Sequence, residues 1–263
     1  MTALLLPVYS LWSREMKRFY RQPSRVVGAL ASPLMFWLLI GSGIGTSFRA
    51  GSGARTLNYS EYFFPGTVLM ILLFTAIFST ISLIEDRREG FMQSVLVAPV
   101  SRSAIVLGKI LGGTSLAVTQ GALFLVLAPF IGIHPGISGW LEVTGVMVLG
   151  GFGMTALGFI IAWRMNSIQG FHAIMNLFLM PLWMLSGALF PPDGAPVWLR
   201  WVMAANPLTY TLAALRHALY RGHTGLASLP PFGFSMTITA VFGFVLFALA
   251  TGMALQRRPE AVG

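Results

Sequence analysis

The sequence predicts an all-α polytopic membrane protein: six apolar helices that span a bilayer, an amphipathic helix before the first, and two short helices before the last. Three observations carry this. The 263 residues are 56% hydrophobic and only 10% charged, with a mean hydropathy of +0.76, where a soluble chain carries about a quarter charged residues. The apolar residues gather into runs of roughly 20, the length that crosses the hydrocarbon as a helix. The 17 Lys and Arg flank those runs instead of forming solvated patches, so the net charge of +9 reads as membrane topology, and no nucleic-acid partner is expected. The absence of cysteine excludes disulfides, thiolate metal sites and cysteine nucleophiles. The first apolar patch, residues 3–6, is too short for a signal-peptide core, so no cleavable leader is expected.

Residues 3–22 form the amphipathic helix. At 100° per residue Leu5, Val8, Tyr9, Trp12, Met16 and Phe19 share one face, and Arg14, Lys17, Arg18 and Arg21 share the other. Such a helix lies in the membrane interface, apolar side down, with its basic side toward anionic headgroups. A plain topology anchor and a helix with a further role at a membrane entrance both remain open. Gln22-Pro23-Ser24 breaks it. The first span, about 26–45, contains Pro33 and a GxxxG step at Gly41 and Gly45, a helix-packing signal. A polar loop, 46–60, leads to the second span at about 62–84, entered through an aromatic belt of Tyr59, Tyr62, Phe63 and Phe64.

Between the second and third spans lies the most unusual stretch. Glu85-Asp86-Arg87-Arg88-Glu89 holds five successive charges, and Gly90 follows. Phe91, Met92, Val95 and Leu96 then fall on one stripe of a short helix, ended by Pro99, with Ser101 or Ser103 to cap the next helix. A connecting loop needs polarity but no apolar stripe, so this stretch reads as a docking helix for a soluble partner.

The third span, about 104–132, carries Lys109 and close-packing glycines at 108 and 112. His134-Pro135-Gly136 turns the chain into a glycine-rich fourth span at about 140–163, and a short polar link leads to a fifth at about 171–190. Residues 196–205 and 207–220 read as two short helices, with Asn206 as cap, Pro207 in first position and Gly222 as stop. Leu208, Leu212, Leu215 and Leu219 line one face of the second; Arg216 and Arg221 are expected elsewhere. Each is too short to cross. The sixth span is about 232–255. Twelve Lys and Arg lie on the side holding the termini and the 85–96 stretch, against five on the other, so that side is cytoplasmic and both termini are inside.

Chemistry is sparse. No GxxxxGK(S/T) loop occurs, and no span carries Asp, Glu, Lys or Arg at its middle, which disfavours an ion-coupled carrier. Ser42 and His172 belong at opposite span ends, which disfavours a hydrolase. The histidines at 134, 217 and 223 lack metal-ligand spacing. Phe74, Phe78, Met175, Phe178 and Trp183 are either core packing or an adaptable apolar lining for a greasy solute.

Taken in order, the amphipathic helix, Phe64-Pro65-Gly66, the 85–90 charge run through Ala98-Pro99-Val100-Ser101-Arg102, and Asn206-Pro207-Leu208-Thr209-Tyr210 resemble the permease subunit of ABC-2 type transporters. That group includes daunorubicin-resistance, nodulation-factor and polysaccharide exporters. The resemblance implies one transmembrane domain, 26–258, behind an interfacial segment, 1–25. It also implies a second permease, as a homodimer, and two copies of a separate ABC ATPase that holds ATP and Mg in a bacterial inner membrane. In that picture Glu85, Asp86, Arg87, Arg88, Glu89, Gly90, Phe91, Met92, Val95 and Leu96 form the ATPase-coupling helix. Trp12, Arg14, Lys17 and Arg18 belong to a gate helix, and Asn206, Pro207 and Tyr210 to a re-entrant outer hairpin. The chain is then a transport subunit, not an enzyme, exporting an amphipathic drug-like or lipid-like solute. A lipid-linked polysaccharide as cargo is the alternative. A membrane scaffold or embedded enzyme is the reading from another class.

Overall fold

A computed structural model of the chain describes residues 2–44, 58–97, 99–221 and 229–256. Among them every regular element is helical: α1 (Thr2–Tyr20), α2 (Pro23–Ile44), α3 (Tyr59–Ser79), α4 (Ile81–Arg88), α5 (Phe91–Val97), α6 (Arg102–Leu125), α7 (Gly136–Arg164), α8 (Ile168–Trp183), α9 (Val197–Ala205), α10 (Pro207–Leu219) and α11 (Phe232–Leu255). Gly45, most of the 46–60 loop, Ala98, Gly222, His223 and Arg257-Arg258 lie outside the described residues, as does the side chain of Leu96.

The centre of the bundle is α3. Its sequence is apolar on every side, and a helix with no polar face is stable only when surrounded. Phe63, Phe64, Leu69, Ile71, Leu72 and Leu73 are all fully buried, with α2, α6 and α7 packed around them. A capping box starts it: Glu61 N–H donates to Asn58 Oδ1 (2.9 Å), and Asn58 N–H donates to Glu61 Oε2 (3.0 Å). Pro65 stands inside this helix and supplies no N–H to the carbonyl of Glu61. The Tyr220 hydroxyl donates to that carbonyl instead, so the backbone stays satisfied at membrane depth.

Among the described residues, five helical segments are long and apolar enough to cross a membrane: Val26–Gly43, Tyr59–Arg88, Gly136–Arg164, Ile168–Ala188 and Phe232–Leu255. The remaining expected span, α6, has the length at 24 residues but carries Lys109, Thr114, Thr119 and Gln120. It stops at Leu125, short of the expected 132, because Pro129 opens a 3-10 turn over Ala128–Ile131. The second span continues beyond Ile84 as α4, after a bend at Thr80 whose hydroxyl donates to Ile77 O (2.6 Å). The fifth ends in a π-helical turn, Met184–Ala188, where Gly187 takes φ +88°.

Instead of lying free in the interface, α1 packs along α6. Its apolar face is split: Val8, Leu11 and Phe19 are buried while Leu5 and Tyr9 are exposed. The contact is close because Gly108 and Gly112 of α6 present no Cβ. A Cβ at Gly108 would sit 2.9 Å from Leu11 Cβ, and one at Gly112 2.8 Å from Glu15 Cβ. Without a hydrophobic driving force between helices in lipid, such close approach supplies much of the association. Gly112→Val should therefore push α1 off α6, costing about 1–3 kcal/mol. Thermal unfolding in detergent should show a lowered midpoint, whereas Gly145→Val, where a Cβ meets nothing within 4 Å, should leave it unchanged.

Candidate functional site

Charge at one end of the bundle converges on a single carboxylate. Asp86, at the end of α4, is wholly buried. Arg14 of α1 grips it with two hydrogen bonds, Nη1 to Oδ2 at 2.9 Å and Nη2 to Oδ1 at 2.7 Å. Arg18, one turn on, donates to Oδ1 at 2.8 Å, and Lys109 of α6 bonds to Oδ2. Lys109 also holds Glu15 (2.5 Å) and reaches Ser82 Oγ (3.3 Å). Burial opposes the charge of Arg14, but the hydrogen bond and charge of Asp86 outweigh it and hold the guanidinium above its ordinary pKa. Three helices from distant parts of the chain are joined here by bonds made between charged groups, the strong kind.

The rest of the 85–96 stretch divides between inward and outward work. Glu85 pairs with Arg18 (2.8 Å). Arg87 turns away to the C-terminal end of α7, donating to Trp163 O (2.7 Å) and Met165 O (3.0 Å), where a cation satisfies the last carbonyls and complements the helix dipole. Arg102 does the same for α11, donating to Ala254 O (2.7 Å). Gly90 takes φ +77°, a left-handed turn that suits glycine, and swings α5 back on α4. The apolar stripe of α5 then faces the protein's own body: Met92 is buried, Val95 packs on the core, and the Phe91 ring lies 3.8 Å below the Arg14 guanidinium. Phe91, Met92 and Val95 thus pack on this chain, with Phe91 set against α1. What faces outward is Arg88, Glu89, Gln93, Ser94 and Val97, the last 85% exposed.

On α1, Trp12 donates its indole N–H to Ser115 Oγ (2.9 Å) and Lys17 is exposed. Two members of the cluster, Glu15 and Lys109, were not singled out as site residues from sequence. The signal was present: each is a lone ionised group on an otherwise apolar helix face.

At the other end of the bundle, Asn206-Pro207-Leu208-Thr209-Tyr210 makes the corner between α9 and α10. Asn206 caps α10 by accepting from Leu208 N (3.0 Å), and its amide donates to Leu182 O (2.6 Å). Thr209 and Tyr210 hydroxyls donate to Met203 O (2.6 Å) and Ala204 O (2.8 Å), satisfying the last carbonyls of α9, while Pro207 supplies the first residue of α10. The four leucines of α10 are buried as expected, but so is Arg216, contrary to expectation. Its guanidinium lies 4.2 Å from the centre of the Tyr62 ring and donates to Gly187 O (2.9 Å), the carbonyl that also accepts from the Tyr62 hydroxyl (2.8 Å). Those partners make the burial tolerable.

Of the aromatic and Met candidates, Met175 and Trp183 belong to the core, and Trp183 Nε1 donates to Gly66 O (2.8 Å). Phe74 and Phe78 are part-buried against each other; Phe178 is 63% exposed. Ser42 donates to Leu38 O (2.6 Å) and His172 lies against Phe78.

Removing Asp86 would leave the buried Lys109 and the half-buried Arg14 without their shared acceptor. Asp86→Ala should destabilise by about 3–5 kcal/mol, whereas Glu89→Ala at the exposed edge should stay within about 0.5 kcal/mol; thermal or denaturant unfolding of the two variants side by side measures the difference.

Known proteins bear on the reading at this point. Residues 7–220 match the ABC-2 type transporter family. The chain is 27% identical over 254 residues to ycf38 of Cyanophora paradoxa, named as a transport permease, covering 91% of this chain and 87% of the relative. It is 25% identical over 267 residues to the daunorubicin resistance ABC transporter permease protein DrrB1 of Streptomyces coeruleorubidus, covering 99% and 89%. It is 22% identical over 250 residues to the inner membrane transport permease YadH of Escherichia coli strain K12, covering 91% and 93%. With the matched region taking in the buried ion cluster, the α5 edge and the α9–α10 corner, the chain belongs to the ABC-2 type transporter family.

Proposed function

We propose that this chain is the membrane-spanning permease of an exporter driven by a separate ABC ATPase, moving an amphipathic drug-like or lipid-like solute outward across the inner membrane of a bacterium. Two ATPase copies, each holding ATP and Mg, dock on the cytoplasmic end, and a second copy of the chain completes the path. Both termini are cytoplasmic, and α6 serves as the sixth span.

One observation carries the reading: the exposed edge of α5 is fastened, through Asp86 and its cations, to α1. A partner that grips Arg88, Glu89, Gln93, Ser94 and Val97 and changes shape on ATP binding would move α4, α5 and α1 as one body. The charge-poor interiors of the spans favour an apolar cargo over an ion or a long glycan. The daunorubicin-resistance relative supports a drug-like cargo. Export of a lipid-linked polysaccharide is the second reading.

Val97→Asp combined with Arg88→Glu should release the ATPase from washed membranes and abolish cargo-stimulated ATP turnover, with the permease itself still inserted. Retention of the ATPase by this variant would sink the docking assignment. Single cysteines are easily introduced because the chain has none. One at Ser94 should react with an impermeant maleimide only after cell lysis, and one at Ser138 should react in intact cells. Equal reactivity would overturn the orientation.

A further inference from the structure

The four cations on the outer face of α1 are not equivalent. Arg14 and Arg18 are taken by Asp86, and Arg18 also by Glu85 and, at 3.6 Å, by Glu89. Glu15 is buried against Lys109. Among the described residues, Glu15, Glu85, Asp86 and Glu89 at this end are thereby each engaged by Arg14, Arg18 or Lys109. Lys17 and Arg21 are exposed and have no carboxylate partner among the described residues.

These two side chains open on a groove of about 800 Å³ between α1 and the α4–α5 turn. Ser10, Ser13, Lys17 and Arg21 follow one another at spacings of three and four residues, so they form a single row of hydrogen-bond donors along the groove, roughly 16 Å long at 1.5 Å per residue. Arg14 and Arg18 make its inner wall, fixed in place by Asp86. The row complements a phosphate group: two cations without a carboxylate partner among the described residues, one of them a planar fork, beside two hydroxyls, while Glu89, which also lines the groove, lies 3.6 Å from Arg18. Exposed apolar side chains flank the same helix, with Leu5 60%, Leu6 70% and Tyr9 62% exposed. A free phosphate has no use for that flank; a phosphate carrying acyl chains would place them along it.

We infer that the groove along Ser10, Ser13, Lys17 and Arg21 binds the phosphate of an anionic phospholipid headgroup in the cytoplasmic leaflet. The site needs neither an ATPase nor a cargo, so it stands or falls separately from the transport reading. In it the Asp86 cluster has a second role: by neutralising and orienting Arg14 and Arg18, it leaves Lys17 and Arg21 as the charges available to the lipid.

The full-length protein is reconstituted in nanodiscs, and retention of phosphatidylglycerol against phosphatidylcholine is counted by native mass spectrometry. Wild type should prefer phosphatidylglycerol. Lys17→Gln and Arg21→Gln should each weaken it roughly 5-fold and together roughly 30-fold, as expected for two interfacial cations. Lys17→Arg with Arg21→Lys should keep the preference. Both side chains are exposed, so unchanged melting midpoints are expected and confirm that the variants fold. Equal lipid retention in wild type and the double Gln variant overturns the proposal. In a second arm, inorganic phosphate in the millimolar range competes with the lipid. Failure to displace it supports the lipid headgroup as the source, and displacement at that concentration assigns the row to a soluble phosphate and overturns the lipid assignment.

Discussion

A carboxylate shut away from water at one end of a helix bundle demands cations, and Asp86 draws them from two other helices. Arg14 and Arg18 arrive from the start of the chain and Lys109 from the third long helix. Taking such groups out of water is costly, and their mutual attraction offsets the cost only when geometry is good and every remaining lone pair is met. Here the carboxylate is met on both oxygens, and Lys109 has Glu15 and Ser82 besides. The arrangement has a mechanical consequence. Because Asp86 and Lys109 are both buried, pulling either away would strand the other, and this ties α1 and α4 to the first turns of α6.

The same economy of charge runs through the rest of that end. Arg87 and Arg102 do not float in solvent; each closes off the terminal carbonyls of a different long helix. The far end uses neutral donors more freely: Asn206, Thr209, Tyr210, Tyr62 and Tyr220 each satisfy a carbonyl left over by a corner, a π turn or a proline. In hydrocarbon an unmet backbone group costs several kcal/mol, so these side chains are what permits the chain to bend at membrane depth. Arg216 is the exception in kind, a buried cation held by an aromatic face and a single carbonyl.

Much of this was legible beforehand. The long apolar helices, the amphipathic start, the α9–α10 pair and the caps at Ser101 and Asn206 follow from local signals of composition, periodicity and capping chemistry. Gly108 and Gly112 announced a close contact, though not its partner. The 85–96 stretch was legible as unusual, but which of its residues face the protein's own body was not. A stripe such as Phe91, Met92 and Val95 announces that a face must be buried and is silent on whether the cover comes from another protein or from this one. The charges were equally ambiguous, since five adjacent ionised residues can all face water or can each find a separate partner.

By itself, then, the sequence determined what is local: which segments are helical, which of them are long and apolar, where turns and caps fall, and how charge is distributed beside them. Those properties depend on residues within a few positions of one another, or on the sum of charge beside each span. Only the tertiary structure decided the pairings, such as Asp86 with Arg14 across 72 positions and Tyr62 with Gly187 across 125. Burial of a charge or a hydroxyl is a property of what surrounds it in space, and along the chain nothing distinguishes the Asp86 that lies inside from the Glu89 that stays out.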